Sequence, residues 1–174
     1  MKKEIRSRLK MRAIALAREP EQKRETSTTT EIIEFTLAGE SYGIESAFVR
    51  EVYPLKDFTP LPGVPSFIPG IVNVRGQILP VVDLKKFFNL PEKGLGELDK
   101  VIILRDERME FGILTDAING TKAIYNEDVL PVPATVTGIG EEYLKGVTKE
   151  SLIVLNAEIL LSDKNITIHE EVTQ

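Results

Sequence analysis

The chain has 174 residues, 42% hydrophobic and 28% charged, a globular composition too apolar for a wholly disordered polypeptide. It contains no cysteine, which excludes thiol catalysis, cysteine-based zinc sites and iron–sulfur clusters, and its single histidine, His169, leaves a catalytic triad or a two-histidine metal site almost nothing to work with. The net charge of −5 conceals a division: residues 1–25 carry nine Lys/Arg against four Glu, and the remainder carries 13 basic and 23 acidic residues. A basic segment of +5 thus precedes an acidic body of −10. The longest apolar runs, such as 101–104 and 152–155, fall far short of the ~20 residues that span a bilayer. The N-terminus lacks the apolar stretch of a secretory signal. The cysteine-free composition fits a reducing cytoplasm.

In chain order, residues 4–18 read as a helix, with Ile5, Leu9, Ile14 and Leu16 approximating a stripe and Ala13, Ala15 and Ala17 as strong helix formers. Pro20 ends it, and a polar linker runs to Thr30. Ile33, Phe35 and Leu37 alternate with Glu34 and Thr36, the period of a half-buried strand, and Ala38-Gly39-Glu40 turns the chain into a return strand at 41–44. Residues 48–53 read as a further strand. The stretch 54–70 holds five prolines and reads as a stiffened loop. Strands at 71–74 and 78–84 are joined at Arg75-Gly76-Gln77, followed by a short helix at 85–89 and a linker at 91–96.

The second half repeats this order. A hairpin is expected from 101–104 and 110–114, a tight turn at Asn119-Gly120, a long loop over 126–142, strands at 144–147 and 152–156, and a helix at 157–161. Phe35…Tyr42-Gly43-Ile44 aligns with Leu104…Phe111-Gly112-Ile113 at an offset of 69, and Val81-Val82-Asp83 with Val154-Leu155-Asn156 at an offset of 73. Two like units, each too small to hold much core alone, imply a pair of small β-barrels sharing a hydrophobic seam.

Little in the chain suggests catalysis. There is no GxxxxGK[ST] loop and no GxGxxG pattern. Asp83 and Asp116 each end an apolar run, where a strand terminus or helix cap explains an acid more simply than a catalytic role. Arg75 is different in one respect: the turn between two apolar strands projects its guanidinium, whose five donors suit a partner's carboxylate or carbonyl oxygens. An ordinary solvated hairpin arginine fits the same spacing.

Phe35-Thr-Leu-Ala-Gly-Glu-Ser-Tyr-Gly-Ile44 through Val49-Arg-Glu-Val52, followed by Pro65-Ser-Phe-Ile-Pro-Gly-Ile-Val-Asn-Val-Arg-Gly-Gln-Ile-Leu-Pro-Val-Val-Asp-Leu84, resembles the CheW family of bacterial chemotaxis coupling proteins. The resemblance covers about residues 31–161 and continues through 101–114, Tyr143-Leu-Lys-Gly-Val147 and 152–161. It implies a mainly β fold of two SH3-like five-stranded barrels packed as one domain with short helices. The expected division is an N-terminal extension over 1–30, basic and partly helical or disordered, a domain over 31–165 (barrels at about 31–95 and 96–165, with strand exchange left open) and a polar tail over 166–174.

Functionally, it implies a non-catalytic cytoplasmic adaptor without cofactor or metal. Such an adaptor binds the cytoplasmic tips of chemoreceptors and the regulatory domain of the histidine kinase CheA, self-associates in signalling arrays, and meets the inner membrane only through receptors. Arg75, Val49, Glu51, Gly70 and Asn73 match the family's partner-binding positions. Asn119-Gly120-Thr121 departs from the acidic-hydrophobic pattern of relatives, and the basic extension is not a general family feature. No receiver-type, phosphotransfer or ATP-binding segment lies in these residues. Two other readings remain: an adaptor of a gliding, twitching or other non-flagellar pathway, and a nucleic-acid-binding β-barrel with a basic arm, against which the acidic body argues.

Overall fold

A computed structural model describes residues 28–56, 58–90, 100–132 and 138–166. The helix read at 4–18, the linker at 91–96 and the tail from 167 lie outside the described residues. The first hairpin is β1 (Thr29–Leu37) and β2 (Glu40–Glu45), and a 3-10 turn at Ser46–Phe48 leads into β3 (Val49–Pro54). The proline-rich stretch is not all loop: β4 (Phe58–Pro60) lies within it and pairs with β5 (Gly70–Val74). Then come β6 (Gln77–Val82) and the short helix α1 (Leu84–Phe87). The second half supplies β7 (Lys100–Arg105), β8 (Glu110–Thr115), β9 (Ala117–Tyr125), β10 (Leu144–Val147), β11 (Ile153–Leu155) and α2 (Ala157–Leu161).

These strands form two sheets, ordered β10-β11-β2-β1-β9 and β3-β7-β8-β6-β5-β4. The first has five strands as expected, and the second gains β4 as a sixth. Neither closes through a ladder joining its two edge strands among the described residues. Each sheet draws on both halves of the chain. The β1–β2 hairpin sits among β9, β10 and β11, and the β7–β8 hairpin sits among β3, β4, β5 and β6. The two exchanges mirror one another. Val154 of β11 pairs in parallel with Gly43 of β2, and Val81 of β6 pairs in parallel with Gly112 of β8. Reading one sheet from its β9 edge and the other from its β3 edge makes β9 the counterpart of β3 and β10 that of β5.

The equivalence extends to the caps. Asp83 and Asn156 have the same backbone angles (φ −93°, ψ 99°), and each side chain accepts from an amide in the first turn of the helix it starts. Their own amides donate to matching carbonyls, Phe67 and Tyr143, both at 2.8 Å. The two aromatic rings at those positions then meet on α1: Phe67 and Tyr143 stand edge-on to Phe87 at 5.0 and 5.4 Å.

Alternation along the exchanged hairpins explains the repeated Tyr-Gly-Ile and Phe-Gly-Ile. Tyr42, Ile44, Phe111 and Ile113 point into one core shared by the two sheets. That core gathers twenty buried residues, against seven inside the first unit and four inside the second among the described residues, so the seam is where most apolar burial occurs. The central glycines face the opposite way, into the small unit interiors. A Cβ at Gly112 would collide with Val101 Cγ1, and one at Gly43 would lie 2.6 Å from Ile32 Cδ1.

One further reading of local structure needs correction. Asn119-Gly120 is not a hairpin turn but a bulge within β9: Glu34 pairs with Gly120 and Phe35 with Ile118, leaving Asn119 as the extra residue, and Gly120 has φ 118°. The strand itself escaped the pattern because it is an edge strand in which only Ile124 is buried. Its place comes from backbone pairing with β1, which leaves no period-2 signature.

The crowding at the two central glycines yields an asymmetric expectation. Gly112→Ala must displace a β-branched Val101 held at Cβ, costing about 1–3 kcal/mol, whereas Gly43→Ala need only swing the far end of Ile32 and should cost less. Urea unfolding of the two variants measures the difference, and equal losses would contradict this packing.

Candidate functional site

Arg75 and Gly76 join β5 to β6 as a two-residue hairpin, Val74 pairing with Gln77. Both turn residues have positive φ, 54° and 85°, the geometry whose twist matches a hairpin. Holding a non-glycine residue there costs roughly 1 kcal/mol, so the turn keeps an arginine at some expense. Asn73 stabilises it: its Oδ1 accepts from the Gly76 amide at 2.9 Å. Arg75 is 74% exposed, yet its guanidinium is not free to wander, because Nη2 lies 3.1 Å from Glu51 Oε2.

Glu51 belongs to β3, on the far edge of the same sheet. A bulge there brings it round: Val49 pairs with Leu104 and Glu51 with Ile103, leaving Arg50 as the extra residue. Glu51 therefore lies opposite a residue of the unit interior, and its side chain is only 19% exposed. Its Oε1 is buried without a hydrogen bond and sits 3.6 Å from Arg50 Nε. Arg50 Nη1 donates to Gln77 Oε1 at 2.9 Å and also to Glu110 Oε1, and Gln77 Nε2 donates to Glu110 Oε2 at 2.9 Å. The Glu110 hydrogen bond, opposed by desolvation, raises the Arg50 guanidinium above its ordinary value. Five side chains from β3, the β5–β6 turn, β6 and β8 thus form one charged corner. Ile78, 62% exposed and paired with Asn73, follows Gln77 in β6, and Val52, a second exposed apolar residue, follows Glu51 in β3.

The residues singled out from the sequence fall into three positions. Arg75 and Glu51 meet directly, and Asn73 supports them from beneath the turn. Val49 is half-buried against the shared core. Gly70 lies at the other end of β5, where a Cβ would collide with the Thr59 carbonyl oxygen. Gly146 of β10 stands in the same relation to the Leu130 carbonyl oxygen, so close backbone approach accounts for both glycines. The sequence reading missed Arg50, Gln77, Glu110 and Ile78. The only available signal was Arg50's place between Val49 and Glu51, and a bulge is needed to turn it toward β8.

The corner's counterpart in the other unit has different residues: Lys122 of β9 pairs with Glu150, in the turn between β10 and β11, at 2.9 Å. At the offset of 69, Val49-Arg50-Glu51 matches Ile118-Asn119-Gly120, and the two bulges occupy equivalent places. Elsewhere, acids behave as structural groups. Asp83 caps α1, and Asp116 accepts from the Ala38 amide at 2.9 Å and pairs with Lys85 at 3.0 Å. Among the described residues, no group of three or more His, Cys, Asp or Glu is placed to hold a metal, and no helix is long and apolar enough to cross a membrane.

Comparison with known proteins agrees with this architecture. The chain is 36% identical over 143 residues to the chemotaxis protein CheW of Treponema pallidum, covering 78% of this chain and 84% of that protein. It is 31% identical over 154 residues to protein FrzA of Myxococcus xanthus, covering 86% and 91%. The crystal structure of the scaffolding protein TtCheW from Thermoanaerobacter tengcongensis superposes with a TM-score of 0.68 at 30% identity, covering 79% of this chain and 91% of that one. The CheW-like domain family matches residues 31–165, the span that holds both sheets, the shared core and the charged corner, and the chain belongs to that family.

Proposed function

We propose that this chain is a non-catalytic adaptor that couples chemoreceptors to the histidine kinase CheA in chemotaxis signalling, working in the cytoplasm at receptor arrays on the inner membrane. The observation that carries the reading is Arg75: a guanidinium presented on a rigid two-residue turn, steered by Glu51 at 3.1 Å, and left largely exposed. An adaptor needs apolar area for affinity and a few charged groups for orientation. Ile78 and Val52 are exposed apolar residues on the strands that carry the corner, and hydrogen bonds tie Arg50, Glu110 and Gln77 together. The turn arginine occurs in one unit alone, the equivalent turn of the other carrying Glu150 paired with Lys122, which gives a pseudo-symmetric body a defined front. Kinship to proteins named for chemotaxis and scaffolding supports the same conclusion.

Arg75 contributes little to the fold, since a pair with so exposed a partner is worth about 1 kcal/mol or less. Alanine also keeps the Cβ that makes positive φ costly, so the turn's strain is unchanged. Arg75→Ala and Arg75→His are therefore expected to stay folded while receptor-dependent control of the kinase is lost. Normal control by folded Arg75→Ala in a reconstituted receptor–kinase assay would remove this role.

Glu51→Lys would place an ammonium beside the guanidiniums of Arg50 and Arg75. It is expected to weaken kinase binding by driving Arg75 off its support. Unchanged affinity in a titration would contradict that.

A further inference from the structure

The charged corner holds two guanidiniums and two carboxylates, and they are not paired one to one. Glu51 lies between Arg50 and Arg75. Its Oε2 is 3.1 Å from Arg75 Nη2, and its Oε1 is 3.6 Å from Arg50 Nε, beyond hydrogen-bond length. Oε1 is buried and accepts no hydrogen bond, although a guanidinium stands next to it. An unsatisfied buried carboxylate oxygen is unfavourable, so something must hold Arg50 back. Its Nη1 is engaged elsewhere, donating to Glu110 Oε1 and, at 2.9 Å, to Gln77 Oε1. Gln77 Nε2 in turn donates to Glu110 Oε2 at 2.9 Å, which closes the three side chains into a ring.

The two arginines compete for one carboxylate under unequal conditions. Arg50 adjoins Glu51 in the bulge and its side chain is 24% exposed, against 74% for Arg75. The pair better shielded from water is the stronger one, because its attraction is screened less. A released Arg50 also presents Nε and an Nη together, the fork that takes both oxygens of a carboxylate. Arg75 then loses the partner that steers it. We propose that Glu110 is a positioning residue: by detaining Arg50 at β8, it keeps Glu51 available to Arg75 and so sets the direction in which the turn presents its guanidinium. Glu110 acts through two intervening side chains, Arg50 and Glu51. The consequence for partner binding rests on the adaptor reading, whereas the effect on Arg75 itself does not.

The order of Arg75 can be read without a partner, from the proton–nitrogen NOE of its Nε–Hε group in the full chain. The resonance lost in Arg75→Lys assigns the signal. A high NOE is expected in the parent and a marked fall in Glu110→Ala. Recovery is expected when Arg50→Met is added to Glu110→Ala, because Glu51 then has no competitor. Glu110→Leu fills the half-buried position without offering an acceptor, and it carries the same comparison if the alanine variant fails to fold. An NOE that stays high in a folded Glu110 variant would overturn the proposal. So would a fall that persists after Arg50→Met is added, since that marks Glu110 as a structural support alone. Titration with the kinase is a separate arm, in which several-fold weaker binding should accompany the fallen NOE. A fallen NOE with parental affinity would leave the positioning intact and remove the coupling role of Arg75.

Discussion

Each half of this chain is too short to bury its own apolar residues, and the exchange of hairpins is the constraint on which the rest depends. By lending β1–β2 to one sheet and β7–β8 to the other, the chain places Tyr42, Ile44, Phe111 and Ile113 back to back in a single core. Neither sheet can form without strands from both halves, so the repeat becomes one cooperative body. The glycine at the centre of each repeated triplet follows from the same geometry. The exchanged strand has a crowded seam on one face and a narrow interior on the other, and glycine avoids the crowding against Val101 and Ile32 there.

The pseudo-symmetry is broken at the charged corner. Equivalent bulges in β3 and β9 turn equivalent residues outward, yet one bulge carries Arg50 and Glu51 and the other Asn119 and Gly120. The charged bulge reaches the Arg75 turn and the start of β8, drawing together side chains from four places in the sequence. A partner meeting either end of the molecule would find the same backbone and different chemistry.

Much of the fold was legible in the residues. The alternation of Ile33, Phe35 and Leu37, the paired Tyr-Gly-Ile and Phe-Gly-Ile triplets and the cap at Asp83 all follow local rules that survive into the structure. What stayed hidden depends on partners distant in sequence. Edge strand β9 has no amphipathic pattern, and its Asn-Gly pair imitates a turn because a bulge also favours glycine at positive φ. The exchange cannot be read from repeats that would look the same without it. At the site, Arg75 and Asn73 were visible because the turn is local, whereas Arg50 and Glu110 became partners only through the strand order β3-β7-β8-β6.

The central claim is that this body bridges two proteins at once, and co-sedimentation tests it most directly. Receptor-containing membrane vesicles are mixed with CheA, with and without the full chain, and pelleted. The account requires the kinase to enter the pellet only when the chain is present, and the chain to pellet with receptors alone. A kinase that sediments equally well without the chain, or a chain that stays in the supernatant with receptors, would contradict it.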